Sequence, residues 1–137
     1  MPRAKELNIN LEDRPGTLGK ICQALADRGV NILAFHANTT AGKGLVRLVV
    51  DNPASAKTIL EAQGMRCNEG EIAQVSLPNR PGELARAASQ LGSVNINIEH
   101  GYTGVDKTGN ATFFFGVNDI DRAVEILDRA AAGAARG

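Results

Sequence analysis

Residues 11–18 read Leu-Glu-Asp-Arg-Pro-Gly-Thr-Leu, and residues 77–84 read Leu-Pro-Asn-Arg-Pro-Gly-Glu-Leu. The shared Arg-Pro-Gly recurs after 66 residues (80 − 14 = 66). Farther along, the Val-Asn-Ile at 30–32 recurs at 94–96, an offset of 64 (94 − 30 = 64), and His36 and His100 keep this second offset. These ordered identities predict an internal duplication, in which the second copy has lost two residues (66 − 64 = 2) near the end of its first helix.

Each copy shows the same order of predicted elements. Alternating apolar residues in 6–11 indicate a strand before the first Pro-Gly. An apolar stripe at positions i, i+3, i+4 and i+7 then predicts a helix, with Leu18, Ile21, Cys22 and Leu25 on one face. A proline suits the first turn of such a helix, where its missing N–H costs nothing. Two further strands and a second helix follow, so each copy reads β-α-β-β-α.

This order predicts the ferredoxin-like sandwich, an antiparallel sheet with both helices on one face. The chain is therefore predicted to be α+β, with two βαββαβ units in tandem at residues 1–69 and 70–137. The first copy has a candidate fourth strand at 65–68. The second copy ends in Ala, Gly and Arg, and Ala and Gly form strands poorly. We expect its last strand to be absent and the tail from Gly133 to be mobile.

Composition excludes several classes of partner. The 137 residues carry no net formal charge and only 4% aromatic residues, which argues against a nucleic-acid interface. No apolar run approaches the roughly 18 residues of a membrane helix, and the N-terminus lacks the pattern of a signal peptide, so a cytoplasmic protein is expected. Cys22 and Cys67 fit no metal-binding or redox spacing. A copy of about 65 residues is marginal as an independent core, which favours association and a homodimer.

The two Pro-Gly segments, each followed by a helix and Val-Asn-Ile, resemble the start of an ACT domain, the small-molecule-binding module of amino-acid metabolism. Over residues 5–130 the chain resembles the stand-alone tandem ACT proteins of bacteria, which carry no catalytic domain. The resemblance implies an amino-acid-binding regulatory or sensor module without enzymatic activity or cofactor. It also implies that a free amino acid, or a similar small metabolite, binds where two ACT units meet.

The same resemblance implies a set of ligand-binding residues. The loops before the first helices contribute one group, and the start of the second strand of a neighbouring unit contributes amide side chains; together they are Asp13, Arg14, Gly16, Leu18, Asn31, Asn79, Arg80, Gly82, Leu84 and Asn95. Glycine lets a ligand approach the backbone, helix N-termini favour a carboxylate, and Asn can pair with both ends of a zwitterion. Because Asp13 would repel a ligand carboxylate, a site containing Asn79 is favoured.

Two alternatives stay open. In the first alternative, the chain is a regulatory subunit that acts mainly as the interaction partner of a biosynthetic enzyme. In the second, it is a small-substrate enzyme that uses His36 or His100 as acid or base. Each histidine follows an Asn by five residues (36 − 31 = 5; 100 − 95 = 5), and a half-buried position at the edge of the core is the favoured interpretation. No residues resemble a catalytic triad, and two histidines without nearby carboxylates make a poor metal site.

Overall fold

The computed structural model describes residues 3–104, 108 and 110–136. They form six strands and four helices, which confirms the predicted α+β class. In chain order the elements are β1 (Arg3–Glu12), α1 (Thr17–Asp27), β2 (Ile32–Thr40), β3 (Lys43–Val50), α2 (Pro53–Ala62), β4 (Cys67–Leu77), α3 (Glu83–Ser93), β5 (Ile98–Gly104), β6 (Ala111–Val117) and α4 (Ile120–Arg136).

Strand β4 is continuous over 11 residues. The sequence indicated a strand at 65–68 that ends the first unit and a second unit that starts at residue 70, so the predicted boundary between the units lies inside a strand and not in a loop. Residues 68–71 are polar and exposed, which removes the apolar alternation that marks a strand. Backbone hydrogen bonding continues a strand through such a segment without any apolar side chain.

The chain divides into two compact units. The N-terminal unit is Lys5–Gly70, and the C-terminal unit starts at Glu71 and also contains Arg3 and Ala4. Arg3 donates hydrogen bonds to Glu71 Oε2 at 2.6 Å and to Asp121 Oδ1 at 2.7 Å. Its bonds to Asp121 and Glu71 raise the pKa of the guanidinium. The first described residues of the chain are thus held at the start of the second unit.

In the N-terminal unit, β3 lies between β1 and β2 and is antiparallel to both. Leu7 is opposite Leu48 and Ile9 is opposite Val46, so these side chains share one face of the sheet. That face packs against α1 and α2. The core cluster contains Leu7, Ile9, Ile21, Leu25, Val30, Val46, Leu48, Val50, Ala56, Leu60 and Cys67.

The opposite face of this sheet carries a row of polar side chains. Asn8, Arg47 and His36 lie in one row across β1, β3 and β2. Arg47 Nη1 donates to Asn8 Oδ1 at 2.9 Å and lies 3.4 Å from Glu6 Oε1. Glu6 is only 4% exposed, and the nearby guanidinium offsets the cost of burying its carboxylate.

In the C-terminal unit, β6 lies between β4 and β5, again antiparallel to both. Its helix-facing core contains Ala73, Val75, Leu77, Ala87, Leu91, Ile96, Phe115, Ala123, Leu127 and Ala134. The other face carries aromatic rings in place of the charged row. Tyr102 stacks on Phe114, with centroids 5.6 Å apart, and His100 stacks on Tyr102 at 6.3 Å.

The two copies align with one constant offset of 66 from the Pro-Gly turn to the start of the second strand. Helices α1 and α3 are both 11 residues long and begin 66 residues apart (83 − 17 = 66). Gly29 follows α1 with φ +73°, and Asn95 follows α3 with φ +64°, so they share the left-handed position that ends the helix. The predicted loss of two residues in the second copy is therefore wrong.

Asn97, and not Asn95, is the equivalent of Asn31. The Asn31 N–H donates to Asp51 Oδ1 and the Asn97 N–H donates to Asn118 Oδ1, both at 3.0 Å. The identical Val-Asn-Ile triplets misled the sequence alignment, because Asn tolerates the left-handed backbone that glycine adopts in the first copy.

The histidines are not equivalent either. His36 is opposite Arg47, whereas His100 is opposite Gly116. At an offset of 66, His36 corresponds to Tyr102 and His100 corresponds to Ala34. Their shared offset of 64 therefore does not reflect a repeated structural position.

Helix α4 continues through the tail that was expected to be mobile. It runs from Ile120 to Arg136, and Ala134 is 8% exposed and belongs to the core cluster of its unit. Alanine is a poor strand former but the best helix former, and Ala130 and Ala134 lie one turn apart on the buried face. No strand follows α4 within the described residues, in line with the expected loss of the last strand.

The cap position of α3 gives a first prediction. Replacing Asn95 with Ala should lower the free energy of unfolding by about 1 kcal/mol, because Ala resists a positive φ, whereas Asn95→Gly should not be destabilising. Asn31→Ala is the control and should change stability by less than about 0.5 kcal/mol, because Asn31 is exposed and its backbone, not its side chain, makes the bond to Asp51. Urea unfolding measures both, and equal losses would contradict the revised alignment.

The packing of α4 gives a second prediction. Ala134→Asp should destabilise the protein by about 2 kcal/mol, because it buries a carboxylate against the core. Ala132→Asp introduces the same charge at an exposed position of the same turn and should cost less than about 1 kcal/mol. Thermal unfolding followed by circular dichroism compares the two variants, and indistinguishable melting temperatures would show that the end of α4 does not pack.

Candidate functional site

The Pro-Gly loop of the N-terminal unit turns the chain from β1 directly into α1. Gly16 adopts φ +92°, a backbone that favours glycine, and α1 starts at the next residue. No side chain caps this helix, and its first turn contains no acidic residue. Thr17 Oγ1 donates to the carbonyl oxygens of Glu12 at 3.3 Å and Arg14 at 3.1 Å, which holds the loop closed beneath the helix.

A cleft of about 270 Å³ opens beside this loop. The loop and the first turn of α1 form one wall, and the paired ends of β2 and β3 form the other. The lining residues are Leu11, Glu12, Asp13, Arg14, Thr17, Leu18, Ala37, Asn38, Thr39, Gly44, Leu45 and Val46. Apolar side chains thus alternate with hydroxyl, amide and charged groups, in the mixture typical of a small-molecule site.

Charges at the cleft are balanced in part. Arg14 Nε lies 3.1 Å from Glu12 Oε2, and both side chains are largely exposed. Asp13 adds a second carboxylate at the loop. One cation and two carboxylates suit a ligand that brings an ammonium group, while the uncapped start of α1 suits its carboxylate.

Three of the predicted residues of the first copy, Asp13, Arg14 and Leu18, meet in this cleft. Gly16 shapes the loop but is not part of the lining. Asn31 lies elsewhere. It directly precedes Ile32 of β2, which pairs with Val50 of β3. The Pro-Gly loop instead follows Glu12 of β1, which pairs with Lys43 at the other end of β3. Seven residues along a strand separate these two ends by roughly 23 Å. Asn31 therefore lies too far away to serve the cleft of its own unit.

The loop of the C-terminal unit has the same backbone but different contacts. Gly82 adopts φ +93° before α3, and Arg80 Nη2 lies 3.5 Å from Glu83 Oε2. Asn79 is exposed, and Leu84 is 46% exposed. Of the predicted residues of this copy, Arg80 pairs with a buried carboxylate of its own chain, and Asn95 is the helix cap described above.

Asn38 was not predicted, and Thr17 and Glu83 lie within the predicted loops at 13–18 and 79–84 but were not singled out. In the sequence, Thr17 and Glu83 each directly follow a Pro-Gly. The difference between these two side chains was the signal that could have identified the positions. Asn38 gives no signal on its own, because only the pairing of β2 with β3 brings it opposite Leu45 and into the cleft.

The cysteines do not offer a reactive thiol. Burial raises the pKa of both Cys22 and Cys67, so each remains a protonated thiol near neutral pH. Cys22 lies half-buried on the α1 stripe and Cys67 belongs to the core cluster of its unit. No group of three or more His, Cys, Asp or Glu side chains with metal-binding geometry occurs within residues 3–104, 108 and 110–136. Among these same residues, no helix is long and apolar enough to cross a membrane.

Residues 5–64 match the family model of the ACT domain. This segment of the chain is an ACT domain. It comprises β1 to α2, and the Pro-Gly loop with its cleft lies within it. The resemblance seen in the sequence is confirmed for this segment, and no curated protein matches the chain.

Solved structures resemble the chain along most of its length. A protein from Bacteroides thetaiotaomicron is 27% identical, with a TM-score of 0.84 over 93% of this chain and 88% of that chain. The ligand-free regulatory subunit of aspartate kinase from Thermus thermophilus is 21% identical, with a TM-score of 0.67 over 97% and 92%. The corresponding subunit from Thermus flavus is also 21% identical, with a TM-score of 0.62 over 95% and 93%. At this identity the two subunits show a shared fold alone.

The histidine on β5 gives a third prediction. Gly116 has no side chain where the His100 ring packs, and a Cβ at this position would collide with the ring. Gly116→Ala should therefore destabilise the protein by about 1–3 kcal/mol. When His100 is already replaced by Ala, the additional change Gly116→Ala should cost much less stability than it does in the parent protein. A double-mutant cycle of urea unfolding measures this difference. Purely additive effects would show that the ring does not pack on Gly116.

Proposed function

We propose that this protein is a non-catalytic regulatory or sensor module that binds a free amino acid, or a similar small metabolite. The observation that carries the proposal is the cleft of about 270 Å³ at the Pro-Gly loop of an ACT domain. The ACT family is a small-molecule-binding family of amino-acid metabolism, and the cleft has the mixed lining that such a ligand needs.

The chemistry of the cleft suits a zwitterion with a short side chain. The ligand carboxylate is placed at the start of α1, where backbone N–H groups and the helix dipole favour an anion. The ammonium is placed toward Asp13, whose carboxylate supplies an oxygen acceptor. The apolar remainder of the ligand packs against Leu11, Leu18 and Val46, which form the hydrophobic part of the lining.

We further propose that residues 1–69 and 70–137 are two ACT-like units, and that two chains associate as a homodimer. The repeated element order and the constant offset between α1 and α3 support the second unit. By family resemblance, a neighbouring unit contributes an amide from the start of its second strand. Because Asn31 lies at the far end of its own sheet, it is suited only to a neighbour's site, and Asn97 replaces Asn95 as its counterpart.

The alternative of an enzyme-partner subunit rests on the family resemblance. Phe35 is 53% exposed on the helix-facing side of β2, but a single exposed apolar side chain is ordinary on a protein surface. The enzyme hypothesis has less support. His36 belongs to the polar row on the sheet face opposite the helices, outside the lining of the cleft, and His100 stacks on Tyr102 in the other unit.

A substitution that fills the cleft with a larger side chain gives a fourth prediction, which concerns amino-acid binding. Amino acids are first screened by thermal shift, because a ligand that binds the folded state raises the melting temperature. Ala37→Phe places a ring in the cleft from an exposed position on β2, and should weaken binding of the identified amino acid by at least about tenfold in calorimetry. Ala26→Phe, an exposed position on α1 outside the cleft, is the control and should bind like the parent protein.

Two results would contradict the proposed function. If no amino acid shifts the melting temperature or releases heat on titration, the protein is not an amino-acid sensor. If an amino acid binds and Ala37→Phe leaves its affinity unchanged, the ligand binds outside this cleft.

A further inference from the structure

The C-terminal unit carries a buried carboxylate at the position where the N-terminal unit has the mouth of its cleft. Glu83 is the first residue of α3 and corresponds to Thr17, the first residue of α1. Thr17 lines the cleft, whereas the Glu83 side chain is only 8% exposed. A negative group in the first turn of a helix is favourable, so Glu83 provides α3 with the kind of group that α1 lacks.

Two arginines of the same unit hold this carboxylate. Arg86 Nη2 lies 3.1 Å from Glu83 Oε1, and Arg80 Nη2 lies 3.5 Å from Oε2. Arg86 Nη2 also donates to the carbonyl oxygen of Ala130 at 2.9 Å. Both carboxylate oxygens of Glu83 therefore have a cationic partner from their own chain.

The bond to Ala130 links this network to the extension of α4. Helix α4 has 17 residues and α2 has 10, so the last 7 residues of α4 (17 − 10 = 7), which begin at Ala130, have no counterpart in the N-terminal unit. Ala134 anchors the extension in the core. The extra turns of α4 thus pack beside the first turn of α3 and hold Arg86 against Glu83.

The floor of the equivalent space is also different. Val46 lines the cleft of the N-terminal unit and pairs with Ala37 on β2. At the matching position of β6, Phe113 pairs with Thr103 and stacks parallel to Phe115, with centroids 6.4 Å apart. A phenylalanine therefore stands where the first unit has the smaller Val46.

On the basis of the proposed function, we propose that each chain binds a single amino acid, in the cleft of the N-terminal unit. In the C-terminal unit, Glu83 replaces the ligand carboxylate, held by Arg80 and Arg86 and locked by the extension of α4. The second Pro-Gly loop is then a permanently occupied copy of the site and not a second binding site. This reverses the expectation that a site containing Asn79 is the preferred one.

Calorimetric titration of the full chain with the amino acid identified by thermal shift tests this inference. The expected stoichiometry is one ligand per chain. Exchange of the two matched residues then assigns the site. Thr17→Glu places in the N-terminal unit the carboxylate found in the C-terminal unit, and should weaken binding at least about tenfold by repelling the ligand carboxylate. Glu83→Thr, the reciprocal change, should leave the affinity within about twofold and the stoichiometry at one.

Ala26→Asp and Leu18→Asp keep the test decisive if Thr17→Glu does not fold. Ala26→Asp introduces a charge at an exposed position of α1 outside the cleft and should bind normally, whereas Leu18→Asp puts a charge into the apolar part of the cleft and should abolish binding. Two ligands per chain, or binding lost in Glu83→Thr and retained in Thr17→Glu, would overturn the single-site inference while leaving the proposed function intact. Absence of any amino-acid binding by the parent protein would instead overturn the proposed function itself, and this inference with it.

Discussion

A glycine in the left-handed conformation precedes the first helix of each unit, and the candidate site depends on it. Gly16 and Gly82 adopt φ +92° and +93°, which a residue with a Cβ resists. The turn lets α1 begin directly beside the end of β1 and return across the sheet, so that Ile21 and Leu25 reach the core. It also brings Thr17 and Leu18 next to Leu11, and these residues form one wall of the cleft.

The same backbone turn therefore precedes two helices that start with different side chains. The fold requires the glycine, the preceding proline and an apolar stripe on the helix, and both copies keep these features. The residue directly after the glycine is not constrained by the fold, and here one copy has Thr17 and the other has Glu83. A threonine there bonds to the loop carbonyls, and a glutamate recruits Arg80 and Arg86. The two units thus share the backbone turn and differ in the chemistry at the helix start.

The sheet faces opposite the helices have diverged in the same way. One unit places Glu6 and Arg47 on this face, and the other places Phe114 and Tyr102 there. A buried ion pair contributes little net stability compared with apolar packing, but loss of one partner is costly because the other remains buried. The helix-facing cores are apolar in both units, which fits a fold whose shared requirement is one hydrophobic face on each sheet.

Much of the fold could be predicted from the sequence. Local periodicity and the Pro-Gly punctuation determine the helices and strands, and the loop residues Asp13, Arg14 and Leu18 were correctly placed together because they are close in sequence. The alignment of the copies beyond the first helix was not correctly predicted, because identical triplets at 30–32 and 94–96 conceal the exchange of Gly29 for Asn95 as helix cap. Local periodicity also does not reveal that an alanine-rich tail packs, since Ala134 is buried only by contacts with the other residues of its core cluster.

The sequence by itself determined the element order and the positions of the glycine turns, since each depends on residues near one another in the chain. Only the tertiary structure decided what each Pro-Gly loop contacts, because those contacts join distant segments of the chain. Arg86 reaches Ala130 across 44 residues, and Asn38 lines the cleft only through the pairing of β2 with β3. Such contacts leave no periodic signal, because packing and strand register, and not local backbone preference, bring these groups together.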